Sequence, residues 1–224
     1  HTSWLDSTTF NWGPTAWGGC VDGQTATLDL TDNTPTTTAN KLRAYYWPDD
    51  SNNDWITVSK GKTTYSTITS TRGPNKYCSQ AVTPMTNQKS AILAGINSMV
   101  ANGNTHVNLG AVWGWRMLSP KWRGLWGGTM DANNLPLNYG TENMTKVAII
   151  LTDGENTMSN STRTGYWYLS DNKLGTTNST NAVKELDRRT LAVCNAMKAQ
   201  GIVVYTLLYD LNNSSIASLY TQCA

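Results

Sequence analysis

The stretch that decides the fold is Val147-Ala-Ile-Ile-Leu-Thr-Asp-Gly-Glu-Asn-Thr157. Five apolar residues run straight into Thr152, Asp153 and Gly154. A short apolar run bounded by a turn signal reads as a buried strand, here one that hands a single carboxylate to an exposed loop. A second run of the same texture, Ile202-Val-Val-Tyr-Thr-Leu-Leu208, ends just before Asp210. Between them the helical spacing of Leu186, Leu191, Val193, Cys194 and Met197 predicts a helix over 183–200, with Gly201 at its C-terminal end. Upstream, Ile92, Ile96, Met99 and Val100 recur at helical spacing behind Thr86, a good N-cap, with Gly103 as the stop. A further helix is predicted over 107–117, ended by Ser119-Pro120. Helix, strand, loop, helix, strand is the rhythm of an α/β fold whose parallel strands are covered on both faces. Ligands of such sheets gather beyond the carboxyl ends of the strands, which is where Asp153 and Asp210 fall.

Residues 1–80 have a different texture. Trp12-Gly-Pro, Trp17-Gly-Gly-Cys20, Thr34-Pro and the run Asp49 to Asp54 are turn and loop signals. Short β runs over 54–58 and 64–69 are expected to pair as a hairpin. The division is therefore an irregular, disulfide-tied region over 1–80 and an α/β part over 81–224.

Composition limits what the protein does. A chain of 224 residues suits one domain with a real core. Its net charge is +2, from 17 basic and 15 acidic residues interspersed along the chain, which argues against nucleic acid or an acidic membrane surface as partner. Only 14% of residues are charged, and ten Trp and ten Tyr stand against a single Phe, a polar, uncharged, aromatic style common in extracellular settings. No apolar run approaches the ~20 residues of a membrane span, and His1-Thr-Ser-Trp4 lacks the form of a signal peptide, so a processed form or a piece of something longer is expected.

The four cysteines, Cys20, Cys78, Cys194 and Cys223, include no Cys-x-x-Cys pair and no neighbouring histidine, so disulfides are expected rather than zinc. Of the three connectivities, sequential pairing, Cys20 with Cys78 and Cys194 with Cys223, is expected because each pair brackets one region. Closing such loops stabilises by ~2 to 4 kcal/mol and requires an oxidising compartment.

Catalytic motifs are sparse. Gly61-Lys62-Thr63 resembles the end of a phosphate loop, but Ile56 stands where its first glycine belongs. There is no Gly-x-Ser-x-Gly, no His-Glu-x-x-His, and the histidines are His1 and His106 alone. Asp153, Glu155 and Asp210 leave a carboxylate pair for glycoside hydrolysis open, with no spacing that favours it. Trp113, Trp115, Trp122 and Trp126, with Arg116 and Arg123 between them, are candidates for a ligand- or partner-binding surface, with packing against a helix as the alternative.

Two stretches fit one family pattern. Gly103-Asn-Thr105-His-Val-Asn-Leu-Gly110 resembles the threonine loop of von Willebrand factor A domains, and Val147 to Glu155 resembles their strand ending in Thr-Asp-Gly. The resemblance implies a metal-ion-dependent adhesion site, with Thr105 and Asp153 as ligands of Mg2+ or Ca2+. A hard divalent cation wants hydroxyl and carboxylate oxygens from several loops. A helix following Asp153 is expected to favour an anionic ligand group there.

A more specific resemblance covers about 75–224. Asn104 through Pro120, Trp126-Gly-Gly128, Leu135-Pro-Leu137 and Lys146 through Asn156 are similar to the C-terminal half of TadG-like proteins of the bacterial tight-adherence pilus system. That implies an extracytoplasmic protein of the bacterial surface, periplasm or pilus. It implies a membrane anchor in an N-terminal part, other pilus or pseudopilus subunits or surface ligands as partners, and no catalysis. Two features depart from the family. The Asp-x-Ser-x-Ser strand is missing, since Leu5-Asp6-Ser7-Thr8-Thr9 is followed by Phe10 and preceded by no apolar strand. The chain also stops at Ala224, where an A domain adds a strand and a helix, so the sheet's other strands are expected to come from elsewhere.

Overall fold

The computed structural model describes residues 2–6, 10–24, 27–209 and 213–224. The fold is mixed α/β. The two apolar runs form β3 (Val147–Thr152) and β4 (Val203–Leu208), paired in parallel with Val147 opposite Val203 and Thr152 opposite Leu208. Between them lies α4 (Ser179–Ala199), and after β4 comes α5 (Ser214–Cys223). α2 (Val107–Leu118) precedes the sheet and packs on α4 and β3.

The capping chemistry explains the helix bounds. α4 starts four residues before its apolar periodicity, because the Asn178 side chain accepts from the Asn181 N–H at 3.0 Å and nucleates a first turn of polar residues. At its other end Gly201, at φ 74°, donates to the Lys198 carbonyl while Ile202 donates to that of Met197. This double bond needs the left-handed conformation that glycine adopts freely. α5 has no counterpart in the expectations from sequence. It begins at Asn213, whose side chain accepts from Ser215 and Ile216, and its buried face is only Ile216, Tyr220 and Cys223, too few positions to stand out as a period.

The core lies on one face of the sheet. Ala111, Val112 and Trp115 of α2, Val193, Cys194 and Met197 of α4, Val204 and Cys223 form a single buried cluster, with Ala148 and Ile150 packed against it. The opposite face is bare: Val147, Ile149 and Leu151 of β3, Val203, Tyr205 and Leu207 of β4, and Tyr209 are 40% to 73% exposed. The expectation of strands covered on both faces is therefore corrected. α2, α4 and α5 all contact the sheet from the side of residues 148, 150, 204 and 206, and among the described residues no element covers the other side.

The helix behind Pro84 is α1 (Lys89–Asn97). It is shorter than its periodicity predicts, because the Ser98 hydroxyl bonds back to the Gly95 carbonyl and the chain leaves the helix before Met99 and Val100. Ile92, Leu93 and Ile96 remain exposed on it. In the first 80 residues, β1 (Ile56–Ser59) and β2 (Lys62–Tyr65) form the expected hairpin, shifted inward. Lys60 and Gly61 both have positive φ, as a two-residue turn of matching twist requires.

Residues 2–80 are anchored to the rest through three buried aspartates. Asp29 receives two bonds from Arg189 of α4, at 2.6 and 2.7 Å, and one from the Tyr166 hydroxyl, which in turn accepts from Asn108. Asp22 pairs with Arg163 at 2.5 Å and accepts from the Trp167 indole. Asp32 accepts from Ser119, Lys121 and Tyr139. Both expected disulfides are present, Cys20–Cys78 and Cys194–Cys223, the second locking α5 to α4 inside the core. Two disulfides suit an oxidising, extracytoplasmic environment. Among the described residues no helix is long and apolar enough to cross a membrane.

Candidate functional site

Strand β3 delivers Asp153 to an exposed position at the sheet's carboxyl end, as the sequence predicts. The turn after it is closed locally, with the Gly154 N–H donating to the Thr152 hydroxyl at 3.3 Å. The segment then runs to Asn156, which is 2% exposed and holds the site together. Its side-chain oxygen accepts from the Val107 N–H at 2.8 Å, taking the first free donor of α2. Its side-chain nitrogen donates to Asp187 at 2.8 Å and faces the Thr190 hydroxyl at 3.4 Å, both on α4. One buried amide thus fixes the loop against two helices.

Thr105 is tied to the same loop. Its backbone N–H donates to the Thr157 hydroxyl at 2.8 Å, and its carbonyl accepts from the Thr157 N–H at 2.9 Å. Thr105 and Asp153, far apart in sequence, both line one groove, which leaves the hydroxyl and the carboxylate without a hydrogen-bond partner among the described residues. These two oxygens suit a hard cation in kind but not in number, since such an ion takes six or more oxygen ligands, protein or water. Among the described residues no three His, Cys, Asp or Glu side chains converge on a point. Asp210 lies outside the described residues, as do Ser7, Thr8 and Thr9. Glu155 accepts from Asn213, the N-cap of α5.

One expectation is corrected. No helix follows Asp153: bends and turns occupy 153–178 apart from a single 3-10 turn, Leu169–Asp171. The first donor of α2 is already occupied by Asn156, and the N-cap of α5, Asn213, is bonded to Glu155.

The groove runs along β3. It encloses about 1710 Å3 and is lined by every residue from Val147 to Asp153, by α2 through Leu109, Trp113 and Met117, and by the 79–85 segment. His106 also reaches it. Both its ring nitrogens are buried without a partner, although its edge touches the surface, and burial lowers its pKa to about 4, so the ring is neutral at pH 7.

The aromatic segment is mostly structural. Trp122 and Trp115 are buried, as is Arg116, which donates to Gln24, Leu28 and Thr31 and lies 4.8 Å from the Trp113 ring. Burial, opposed by Asp29, lowers the Arg116 pKa to about 10. These three are corrected from a ligand surface to core: Trp122 packs within an indole cluster with Trp4, Trp113 and Trp126, Arg116 lies over the Trp113 and Trp122 rings, and Trp115 belongs to the buried cluster shared with α4. Arg123 is spent on the Pro136 carbonyl. Of this set Trp113 and Trp126, half-buried, still face the groove.

Asn156, Asp29 and the groove itself were not marked by the sequence. Asn156 sits inside the quoted stretch, and an asparagine four residues after a strand end is a signal too common to single out. When the chain is compared with known proteins, no family model, no curated protein and no solved structure matches it.

Proposed function

We propose that this chain is a pilus-associated protein of the bacterial surface, of the tight-adherence type its sequence resembles, and that it works by binding rather than by catalysis. Its α/β part is then the C-terminal portion of a von Willebrand factor A-like domain, with Thr105 and Asp153 as two ligands of Mg2+ or Ca2+. The observation that supports the reading is that both residues line one groove along a parallel pair, each with an uncommitted oxygen. Other pilus subunits or surface ligands are its partners, and waters or an incoming carboxylate complete the cation's shell.

Calorimetric titration with MgCl2 and CaCl2 tests the cation. Saturable binding that is lost in Asp153→Ala and weakened in Thr105→Ala supports the metal-assisted reading. Heats no larger than dilution, unchanged by either substitution, refute it. The second reading, a structural pilus subunit with a relic of the site, is favoured by the bare sheet face and by the number of oxygens, two among the described residues. It predicts no cation binding together with retained binding to a partner chain.

A further inference from the structure

Away from the groove, Arg43 organises a second cluster. Leu42 lines the groove, and Leu42 and Ala44 form bridges with Leu5 and Val21, so the chain is extended here and Arg43 leaves it on the opposite side. The guanidinium lies 3.8 Å from the centroid of the Trp167 ring and 5.4 Å from that of Phe10. Trp167 takes a backbone conformation that bulky residues rarely adopt, with φ at 66°. Mutual backbone bonds with Thr164, at 2.9 and 3.0 Å, keep it there, and its indole N–H is fixed on Asp22 at 2.7 Å.

The charges of this cluster do not balance. Asp22 pairs with the buried Arg163 at 2.5 Å and stands 4.0 Å from the Arg43 Nε, so two guanidinium groups share one carboxylate whose short bonds go to Arg163 and Trp167. Arg43 keeps a side chain 35% exposed, and its guanidinium has no hydrogen-bond acceptor among the described residues. Asp49, close to Tyr46, is taken by the backbone N–H groups of Trp55 and Ile56. Rings border the cation. Phe10 stacks on Tyr46 at 4.5 Å with the planes 4° apart, and Trp12 stands perpendicular to both, at 6.0 and 5.3 Å. A ring so placed turns at most one face to the pair, and no other ring packs on Trp12 among the described residues. Phe10, Trp12, Tyr46 and Trp167 are all half-buried.

We propose that this cluster binds a uronic acid residue of an acidic polysaccharide, with the sugar carboxylate on the guanidinium of Arg43 and a face of the sugar ring on Trp12. A pyranose presents C–H groups to the negative face of an aromatic ring and turns its hydroxyls to water, which suits a half-buried ring on an open surface. A guanidinium held flat against an indole offers its free edge to a carboxylate as a two-pronged donor. One positive charge in surplus calls for a monoanion, and a uronate is one. The further strands expected of an A domain belong beside β3, on the groove side of residues 42–44, whereas this cluster lies on the other side. The proposal goes beyond the cation reading and needs no metal.

The probe is trigalacturonic acid, titrated calorimetrically into the full chain in the presence of EDTA. Saturable binding is expected, weakened several-fold when NaCl is raised from about 50 to about 300 mM. The trimethyl ester keeps every sugar ring and loses every charge; it is expected to bind about tenfold or more weakly. The peptide acetyl-Glu-Glu-Glu-amide keeps the charges without the sugar faces and is expected to bind no better than the ester. Arg43→Gln is expected to weaken binding of the acid by about tenfold or more, and Arg43→Lys to recover part of it, since a lysine restores the charge without the fork. Trp12→Ala is expected to weaken the acid and leave the peptide unchanged. If circular dichroism shows that either variant fails to fold, the three ligands compared on the wild-type protein decide the matter. No binding of the acid, equal binding of its ester, or equal binding of the peptide overturns the proposal. So does binding that survives Arg43→Gln and is lost in Asp153→Ala, which would place the sugar in the groove. Uronate binding without cation binding leaves this inference standing and removes the metal reading, and the converse separates them the other way.

Discussion

Replacing Asp29 by Ala tests how much one of the three buried aspartates contributes to anchoring the N-terminal region on the α/β part. Asp29 is 1% exposed, and its carboxylate accepts two bonds from Arg189 at 2.6 and 2.7 Å, with the Tyr166 hydroxyl and Asn108 completing the cluster. Removing it leaves a guanidinium only 5% exposed with Glu185 as its remaining acidic partner, at 2.8 Å. Breaking one side of a buried pair typically costs ~3 to 5 kcal/mol, because the desolvated charge is left uncompensated. For a chain of this size that is a fall in Tm of roughly 6 to 20 °C. Urea unfolding followed by tryptophan fluorescence, with Asp29→Ala, Arg189→Met and the double variant, reads the cycle. The double variant is expected to be more stable than Asp29→Ala, since no charge is then orphaned. A loss below about 1 kcal/mol in Asp29→Ala, or strict additivity in the double variant, refutes the reasoning.

Other consequences follow from single groups. Asn156→Ala removes the bonds to Val107, Asp187 and Thr190 and is expected to cost ~2 to 4 kcal/mol by urea unfolding, with fast exchange at the Val107 amide; an unchanged midpoint would show that the amide does not join the loop to the helices. The His106 ring, with its pKa lowered to about 4 by burial, refuses a proton that the unfolded chain accepts at ~6.5, so its contribution is present above pH 6.5 and is lost as pH falls towards 4. The stability difference between wild type and His106→Phe is therefore expected to move by up to about 3 kcal/mol across that window, and a flat difference would refute the assignment. Under mild reductant the half-buried Cys20–Cys78 bond is expected to open before Cys194–Cys223, whose sulfurs lie in the core; thiol labelling and mass spectrometry would reveal the reverse order if burial does not protect the second bond.

Much of the fold is legible because it rests on local patterns. Two short continuous apolar runs bounded by turn signals read as strands, Gly201 reads as a helix stop, and the bracketing cysteines pair within their own regions. Thr105 and Asp153 were legible as a loop residue and a strand end; that both line one groove is known from the structure. α5 was not, because its three buried positions, although at helical spacing, are too few to stand out in so short a segment.

The sequence by itself pointed to the parallel pair, the placement of Asp153 at its carboxyl end and the two disulfides, since each is read from local runs of residue type and from which region each cysteine pair brackets. Only the tertiary structure decided which face of the sheet is covered and which indoles are core. It also decided that Asn156 caps α2 and that Asp22, Asp29 and Asp32 find buried partners as many as 160 positions away. An aspartate reads the same in a sequence whether it meets water or a buried arginine. The difference lies in desolvation, which exists only once the chain has closed around it. The same holds for the outer edge of β3, which pairs with no strand among the described residues and carries no side-chain signature of that.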